Sequence, residues 1–563
     1  MGFDTRLGRR EVLGGLAGGL MMPWQSMLEF AAGQEAEPKP QTNDEILAAM
    51  AAYEKLHGLS FTEAERRQAL GQVKENLASI EALRKRGAVG YATAPCTPFV
   101  PLGRQPKPGS RVRVPLPKVS VTLPADAADL PYMTVVELAT LIRSRRLTSR
   151  ELTEACLAKI KKHGPRLECI VTLMEQSALA DADQADKEIK AGKWRGPLHG
   201  IPCVIKDLFA TKGTRTTWGA APFKDQMIDE DATVVVKLRE AGAIICAKAT
   251  LGALAMDDKW FGGQTRNPWN PTQGSSGSSA GSASAVAGGL VPFAIGTETL
   301  GSIVSPSHRC RITGLRPTFG RISRHGAMAL SWTMDKVGPI TRTSEDALLV
   351  LAALAGSDPG DGAAVDRPLS AFNPKDLKKL KVGMLADETP LDEEDSSFQS
   401  WLPLLQEMGM EPEESLKISQ PTEASLMGLT IEGAAAFEEI TRSGVINQVD
   451  RSLWPSIFRG QRYASAVDYV QSLRERAFVM ERFEKELGDF DIIVTSDRGS
   501  HLLLTTNLTG HPQLYIPTGV DEKGRPRGIS LIGRLYEEGK LCAFGQAIQE
   551  KVMFHKQRPP EFK

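Results

Sequence analysis

The chain has 563 residues, with 68 Lys+Arg balanced by 68 Asp+Glu and an apolar share of 41%. That length exceeds one ordinary domain and the composition supplies a large core, while the balanced charge gives no reason to expect nucleic acid or an anionic membrane surface as partner. The seven cysteines form no CxxC pair and the eight histidines no HExxH, so a redox motif, a zinc knuckle and a metal site are all unsupported.

In chain order, the first signal lies at the N-terminus. Arg6, Arg9 and Arg10 precede a modestly apolar, glycine-rich run at 12–23, VLGGLAGGLMMP. Arginines before a short, weakly hydrophobic segment read as a twin-arginine-type export signal over 1–36, which implies a periplasmic or secreted bacterial protein. The run is too short to span a bilayer; the competing reading is a disordered or docking arm. Residues 43–87 read as two helices, the second starting near Thr62 and ending in Arg84, Lys85, Arg86 and Gly87. The proline-rich stretch 94–131 has no periodicity and reads as extended linker. We therefore expect a helical extension over 37–131 and a catalytic body over 132–563. The extension could shape the mouth of a pocket or mediate association into a homodimer.

The body opens with a helix. In LTSRELTEACLAKIKKHGP, Thr148 and Glu151 make a capping box, and Lys161, Lys162, His163, Gly164 and Pro165 suit its C-terminal end and then stop it. Strand-length apolar runs follow at 201–205, 243–247, 291–295, 381–385, 490–495, 513–516 and 528–532. Helical stretches at 232–240, 344–354, 423–443 and 464–485 lie between them. This alternation predicts a layered α/β body with a sheet buried on both faces.

Three segments carry candidate chemistry. At 200–206, GIPCVIK, Lys206 ends an apolar run, and lysine is rarely buried without a partner. Alone, it reads as well as a strand-end lysine paired with Asp207. At 274–285, GSSGSSAGSASA, nearly every residue is small. A flexible linker is a poor reading, because the segment runs on through ASAVAGGL into the strand-like VPFAI. A phosphate loop needs a lysine that the segment lacks. GSSAG at 277–281 matches a nucleophile elbow centred on Ser279, but GGQTRNPWNPTQ before it has no strand pattern. At 296–306, GTETLGSIVSP, a tight turn after a strand exposes Ser302 and frees backbone N–H groups of 299–302 to face an oxyanion. Its bland reading is a buried, hydrogen-bonded turn serine.

Together these segments resemble the amidase signature family: a lysine after GIP-x-x-x, then G-S-S-x-G-S, then G-T-x-T-x-G-S-I. GLRPTFGRIS at 314–323 is similar to the family's GLKPTYGRVS, and DKVGPITR at 335–342 to its D-x-x-GP-x-x-R. Asn507, Pro512, Pro517, Gly519 and 528–534 match its closing pattern, so the resemblance covers roughly 131–555. It implies a central mixed β-sheet covered by helices on both faces, and a Ser–cis-Ser–Lys triad. The nucleophile is then Ser302, the bridging serine, 24 residues upstream, is Ser278, and the base is Lys206. Ser275 also follows a glycine but would need two or three inserted residues. The resemblance further implies a cis peptide bond before Ser278 and an oxyanion hole from the backbone of Thr299, Leu300 and Gly301. It requires no metal and no cofactor, and its substrate is a small-molecule amide rather than a nucleic acid.

Several residues depart from the family pattern. Leu300 stands where glycine is usual, so its side chain must project from the oxyanion loop, and Glu298 stands for aspartate. Val304 replaces an arginine that can hold a substrate carboxylate, Ala253 a glutamate of the amidotransferase-like members, and Ala280 a glycine. The leading expectation is an exported amidase of the linear-amide class. The rivals are the glutamine-hydrolysing component of a tRNA-dependent amidotransferase and a non-catalytic binding protein on the same scaffold.

Overall fold

The computed structural model describes residues 42–86, 114–369, 372–385, 401–449, 452–499 and 502–562. The export-signal segment and much of the proline-rich stretch lie outside the described residues. The chain divides into two compact units, 1–62 and 63–563. The described part of the first is the helix Asn43–His57, capped at its start by a Thr42–Glu45 box. It ends at Gly58, whose φ of +62° is the left-handed conformation that glycine adopts at no steric cost.

The larger unit is built on one sheet of eleven strands. In chain order these are β1 Ile170–Leu173, β2 Pro202–Lys206, β3 Ile244–Ala249, β4 Phe293–Glu298, β5 Thr313–Arg316, β6 Lys336–Thr341, β7 Val382–Leu385, β8 Glu413–Leu416, β9 Ile492–Thr495, β10 Gln513–Val520 and β11 Pro526–Gly533. Across the sheet they run β1-β3-β2-β4-β6-β5-β10-β11-β9-β7-β8. The sheet is mixed: β2 pairs parallel to both β3 and β4, and β4 pairs antiparallel to β6. The middle strands are buried along their length, as apolar runs between two helical layers must be.

All seven predicted runs are strands, within two residues at most starts. The helix predicted over 344–354 is Ser344–Leu354, and that over 464–485 is Ala466–Leu487. The helix at Thr148 does not stop at Gly164 but continues through Pro165 to Leu167. The expected 423–443 helix is two, Met427–Ala436 and Glu438–Arg442, broken at Phe437. There the ring stacks on Phe458 at 5.3 Å, a contact that local propensity does not register.

Helix Glu63–Arg86 belongs to the larger unit and runs against helix Trp454–Gln461. Arg459 joins the two: it is fully buried and donates to Glu65 Oε1 at 2.9 Å and to Asn447 Oδ1 at 2.6 Å. A Cβ on Gly460 would lie 2.4 Å from the Gln72 Cβ, so the helices meet backbone to side chain.

Candidate active site

β2 and β4 are parallel neighbours, so their carboxyl ends open at the same edge of the sheet. β2 ends in Lys206, and β4 ends just before the turn that carries Ser302. Lys206 is fully buried. Its Nζ donates to Ser278 Oγ at 2.8 Å, Thr297 Oγ1 at 2.9 Å and Ser279 Oγ at 3.2 Å. Its next residue, Asp207, pairs instead with Lys248 of β3, Nζ to Oδ1 at 3.2 Å, both fully buried. The Lys206–Asp207 ion pair of the bland reading is therefore not the arrangement found. Burial pulls the Lys206 ammonium down to about 7, against the opposing pull of Asp335 and Glu298.

The serine-rich stretch turns into helix Ala280–Ala287, whose side chains are all buried. Its small residues meet backbone: a Cβ on Gly281 would come within 2.3 Å of the Cys169 carbonyl oxygen and 2.4 Å of the Thr250 nitrogen. The Gly277–Ser278 peptide bond is cis, as the resemblance implies. Ser278, the residue spacing singles out, is the one whose hydroxyl meets Lys206 most closely. Ser279, centre of the elbow-like GSSAG, is spent elsewhere: its Oγ donates to the Thr297 carbonyl at 2.9 Å and accepts the Thr297 N–H at 3.1 Å. Ser275 is buried and donates to the Ser276 carbonyl at 2.9 Å, away from Lys206.

The Ser302 turn is latched to this stretch, for the Ser279 N–H donates to the Ser302 carbonyl at 3.1 Å. Ser302 itself is buried. Gly301 has φ +83°, the left-handed conformation that lets the chain turn sharply before the serine. None of the backbone hydrogen bonds among the described residues uses the N–H of Leu300, Gly301 or Ser302, which leaves that row free for a bound oxygen. The Leu300 side chain is half-buried and packs against the buried cluster of Met334, Leu429, Val479 and Leu508. It projects from the loop, as expected, into an apolar cluster.

Under the turn lies Glu298, fully buried. One carboxylate oxygen accepts the N–H groups of Ile303 at 2.8 Å and Val304 at 3.0 Å. The other accepts from Arg316 Nη1 and Asn507 Nδ2, each at 2.8 Å. Burial would raise this carboxyl, but the Arg316 guanidinium outweighs it and holds it at about 2. Val304, in place of an arginine, is buried with Leu503 and Tyr515.

A cavity of about 240 Å³ adjoins the site at Thr297 and Thr299. Its walls are largely apolar, with Leu208, Met328, Leu330 and Trp332 among them; of the basic side chains that also line it, Arg324 is bound by Asp361 and Lys336 donates to the carbonyls of Met334 and Thr299. Thr299 donates to Asp335 Oδ1 at 2.6 Å, and Asp335 Oδ2 accepts the N–H groups of Leu330 and Ser331, so this carboxylate ties the Ser302 turn to the cavity wall. Sequence reading missed the parts of Thr297, Asp335, Arg316 and Asn507. All four lie inside quoted motifs, but nothing in the linear order says which segments of chain they touch.

Known proteins similar to this chain cover most of its length. A model of the Amidase family matches residues 151–542. A component of the glutamyl-tRNA(Gln) amidotransferase of Alkalilimnicola ehrlichii is 33% identical over 76% of this chain and 99% of its own. A Mycobacterium tuberculosis protein named as an amidase, AmiD, is also 33% identical, over 77% of this chain and 97% of its own. Among solved structures, the peptide amidase of Stenotrophomonas maltophilia superposes with a TM-score of 0.66 at 26% identity, over 77% of this chain and 100% of that one.

Proposed function

This chain belongs to the amidase signature family, whose members hydrolyse C–N bonds, and we propose that it cleaves a linear carboxamide through a serine acyl-enzyme. The observation that carries this reading is the buried Lys206 amine 2.8 Å from the Ser278 hydroxyl, beside the latched Ser302 turn. A serine hydroxyl is a poor nucleophile until a base takes its proton. Lys206 serves as that base when neutral, a state that its burial favours. In the neutral amine the Ser278 hydroxyl donates and Nζ accepts.

The proton of Ser302 Oγ passes to Ser278 Oγ as the Ser278 proton passes to Lys206 Nζ. Ser302 Oγ bonds to the carbonyl carbon, and the N–H groups of Thr299, Leu300, Gly301 and Ser302 receive the oxyanion. The C–N bond breaks as the proton returns along the same path to the leaving amine. Water then adds to the acyl-enzyme by the same relay and releases the acid. The cavity favours an uncharged acyl group, because its walls are mostly apolar, Arg324 is paired with Asp361, Lys336 is turned to the Met334 and Thr299 carbonyls, and Val304 offers no cation.

A second reading, the glutamine-hydrolysing component of a tRNA-dependent amidotransferase, has the same 33% identity in its favour as the amidase reading has. Ala253 and Val304 count for the free amidase, as does the N-terminal twin-arginine pattern, with which we propose a periplasmic or secreted protein. The division into signal 1–36, extension 37–131 and catalytic body 132–563 belongs to the same proposal.

A panel of neutral amides assayed against wild type and Ser302→Ala tests the reading. We expect turnover of at least one member, lost in the variant, together with Ser302-dependent labelling by a fluorophosphonate. Activity that appears only with the other amidotransferase components added would favour the second reading. No turnover and no label would leave a non-catalytic binding protein.

A further inference from the structure

We infer that Glu298 is the positioning residue of the nucleophile turn, held to its task by Arg316 and Asn507. The inference rests on Ser302 being the nucleophile. Four hydrogen bonds converge on this one buried carboxylate, and they come from three places. Two are the N–H groups immediately after Ser302. One is the guanidinium of Arg316 at the end of β5, whose other amino group donates to the His511 carbonyl at 2.8 Å. One is the amide of Asn507 in helix Leu502–Thr509. The backbone that presents Ser302 Oγ and the free N–H row is thus pinned to strands and a helix far away in sequence. Misplacing a reacting group by about 1 Å can cost a hundredfold in rate, so this pinning belongs to reactivity as well as to folding.

The same carboxylate acts on the base. The charged groups around Lys206 are Glu298 at the end of β4, Asp335 and Lys336 at the start of β6, and the Asp207–Lys248 pair at the ends of β2 and β3. Negative charge on Glu298 favours the ammonium form of Lys206. Its removal lets Lys206 lose its proton at lower pH. A substitution that keeps the charge therefore reports on position alone, and one that removes it is read by where the acid limb falls.

The experiment measures the rate of Ser302 phosphonylation by a fluorophosphonate across pH, in the full-length protein, together with thermal midpoints. Glu298→Asp keeps the charge and shortens the reach by one methylene. It is expected to slow labelling about tenfold or more at every pH, with the acid limb of the profile unmoved. Glu298→Gln keeps the length and removes the charge, but its amide NH2 faces two of the four donors, so it also slows labelling. It is expected to move the acid limb to lower pH by about half a unit or more. A folded Glu298→Asp that labels within about twofold of wild type, or a Glu298→Gln with an unmoved limb, overturns the inference. If neither variant folds, Asn507→Ala carries the test, with labelling expected to slow several-fold and an unchanged rate overturning it. A wild type that resists labelling, or a Ser302→Ala that still takes label, instead removes the nucleophile assignment and the positioning role with it.

Discussion

Lys206 has a full set of hydroxyl neighbours and no carboxylate in contact, so its basicity is set by burial with a modest counter-pull from Asp335 and Glu298. With its ammonium brought down to about 7, the neutral base is the minor form below that pH and the major form above it. We expect kcat/KM to rise about tenfold per pH unit below pH ~6 and to level above pH ~8. A profile flat between about pH 5 and pH 9 would show that no group titrating near neutrality is the base. That Lys206 and Ser278 meet beside the Ser302 turn was legible through the resemblance to the amidase signature family, whose motifs set the bridging serine 24 residues before the nucleophile. The supporting residues were not. Thr297 looks like any strand-end threonine, and the sites of Arg316 and Asn507 are given by strand order and helix placement, which spacing does not encode.

At the scale of elements, the buried strands were the easiest to read, since a strand covered on both faces shows as an unbroken apolar run. β6 was harder. It is fully buried yet contains Pro339, and proline ordinarily argues against a central strand. Pro339 pairs with Ile295 of β4, while the ladder to β5 begins only at Ile340, so the missing N–H falls where one edge is unpaired. β1 is only partly buried, and β5 (TGLR) and β8 (EESL) carry no unbroken apolar run, so none of the three stands out. Helix Glu63–Arg86 raises a prediction at this scale. A methyl added in Gly460→Ala must push against the Gln72 Cβ, at a cost of about 1–3 kcal/mol. The helix should then lift and fray, opening the backbone beside its exposed Arg67 and Lys74, seen as faster trypsin cleavage there while the rest of the chain stays resistant. Equal cleavage rates in the two proteins would mean that the contact does not hold the helix down.

Across the whole molecule, buried charge pairs tie distant stretches together. Arg321 and Glu538 are both fully buried; Glu538 Oε2 accepts from Arg321 Nη2 at 2.6 Å and Oε1 from the Thr318 N–H at 2.9 Å. The pair fixes the segment after β5 to helix Glu538–Val552. Removing one member of such a pair leaves the other unpaired and buried, at about 3–5 kcal/mol. Glu538→Ala should therefore lower the guanidinium midpoint clearly, while the protein that remains folded keeps its Ser302 labelling rate. A drop in labelling without a drop in midpoint would place Glu538 in the active-site machinery instead.

The order of the sheet also sets a timetable for synthesis. β5, which carries Arg316, sits between β6 and β10, and β10 begins at Gln513, about 200 residues later in the chain. At roughly 5–20 residues per second, a ribosome leaves that edge of β5 without its neighbour for about 10–40 s. Lys206, Ser278 and Ser302 have all emerged before this interval begins, but Asn507 arrives only at its close. The nascent chain thus holds every reactive group of the site well before the last partner of Glu298, and for that time it offers a bare strand edge to any other extended chain nearby.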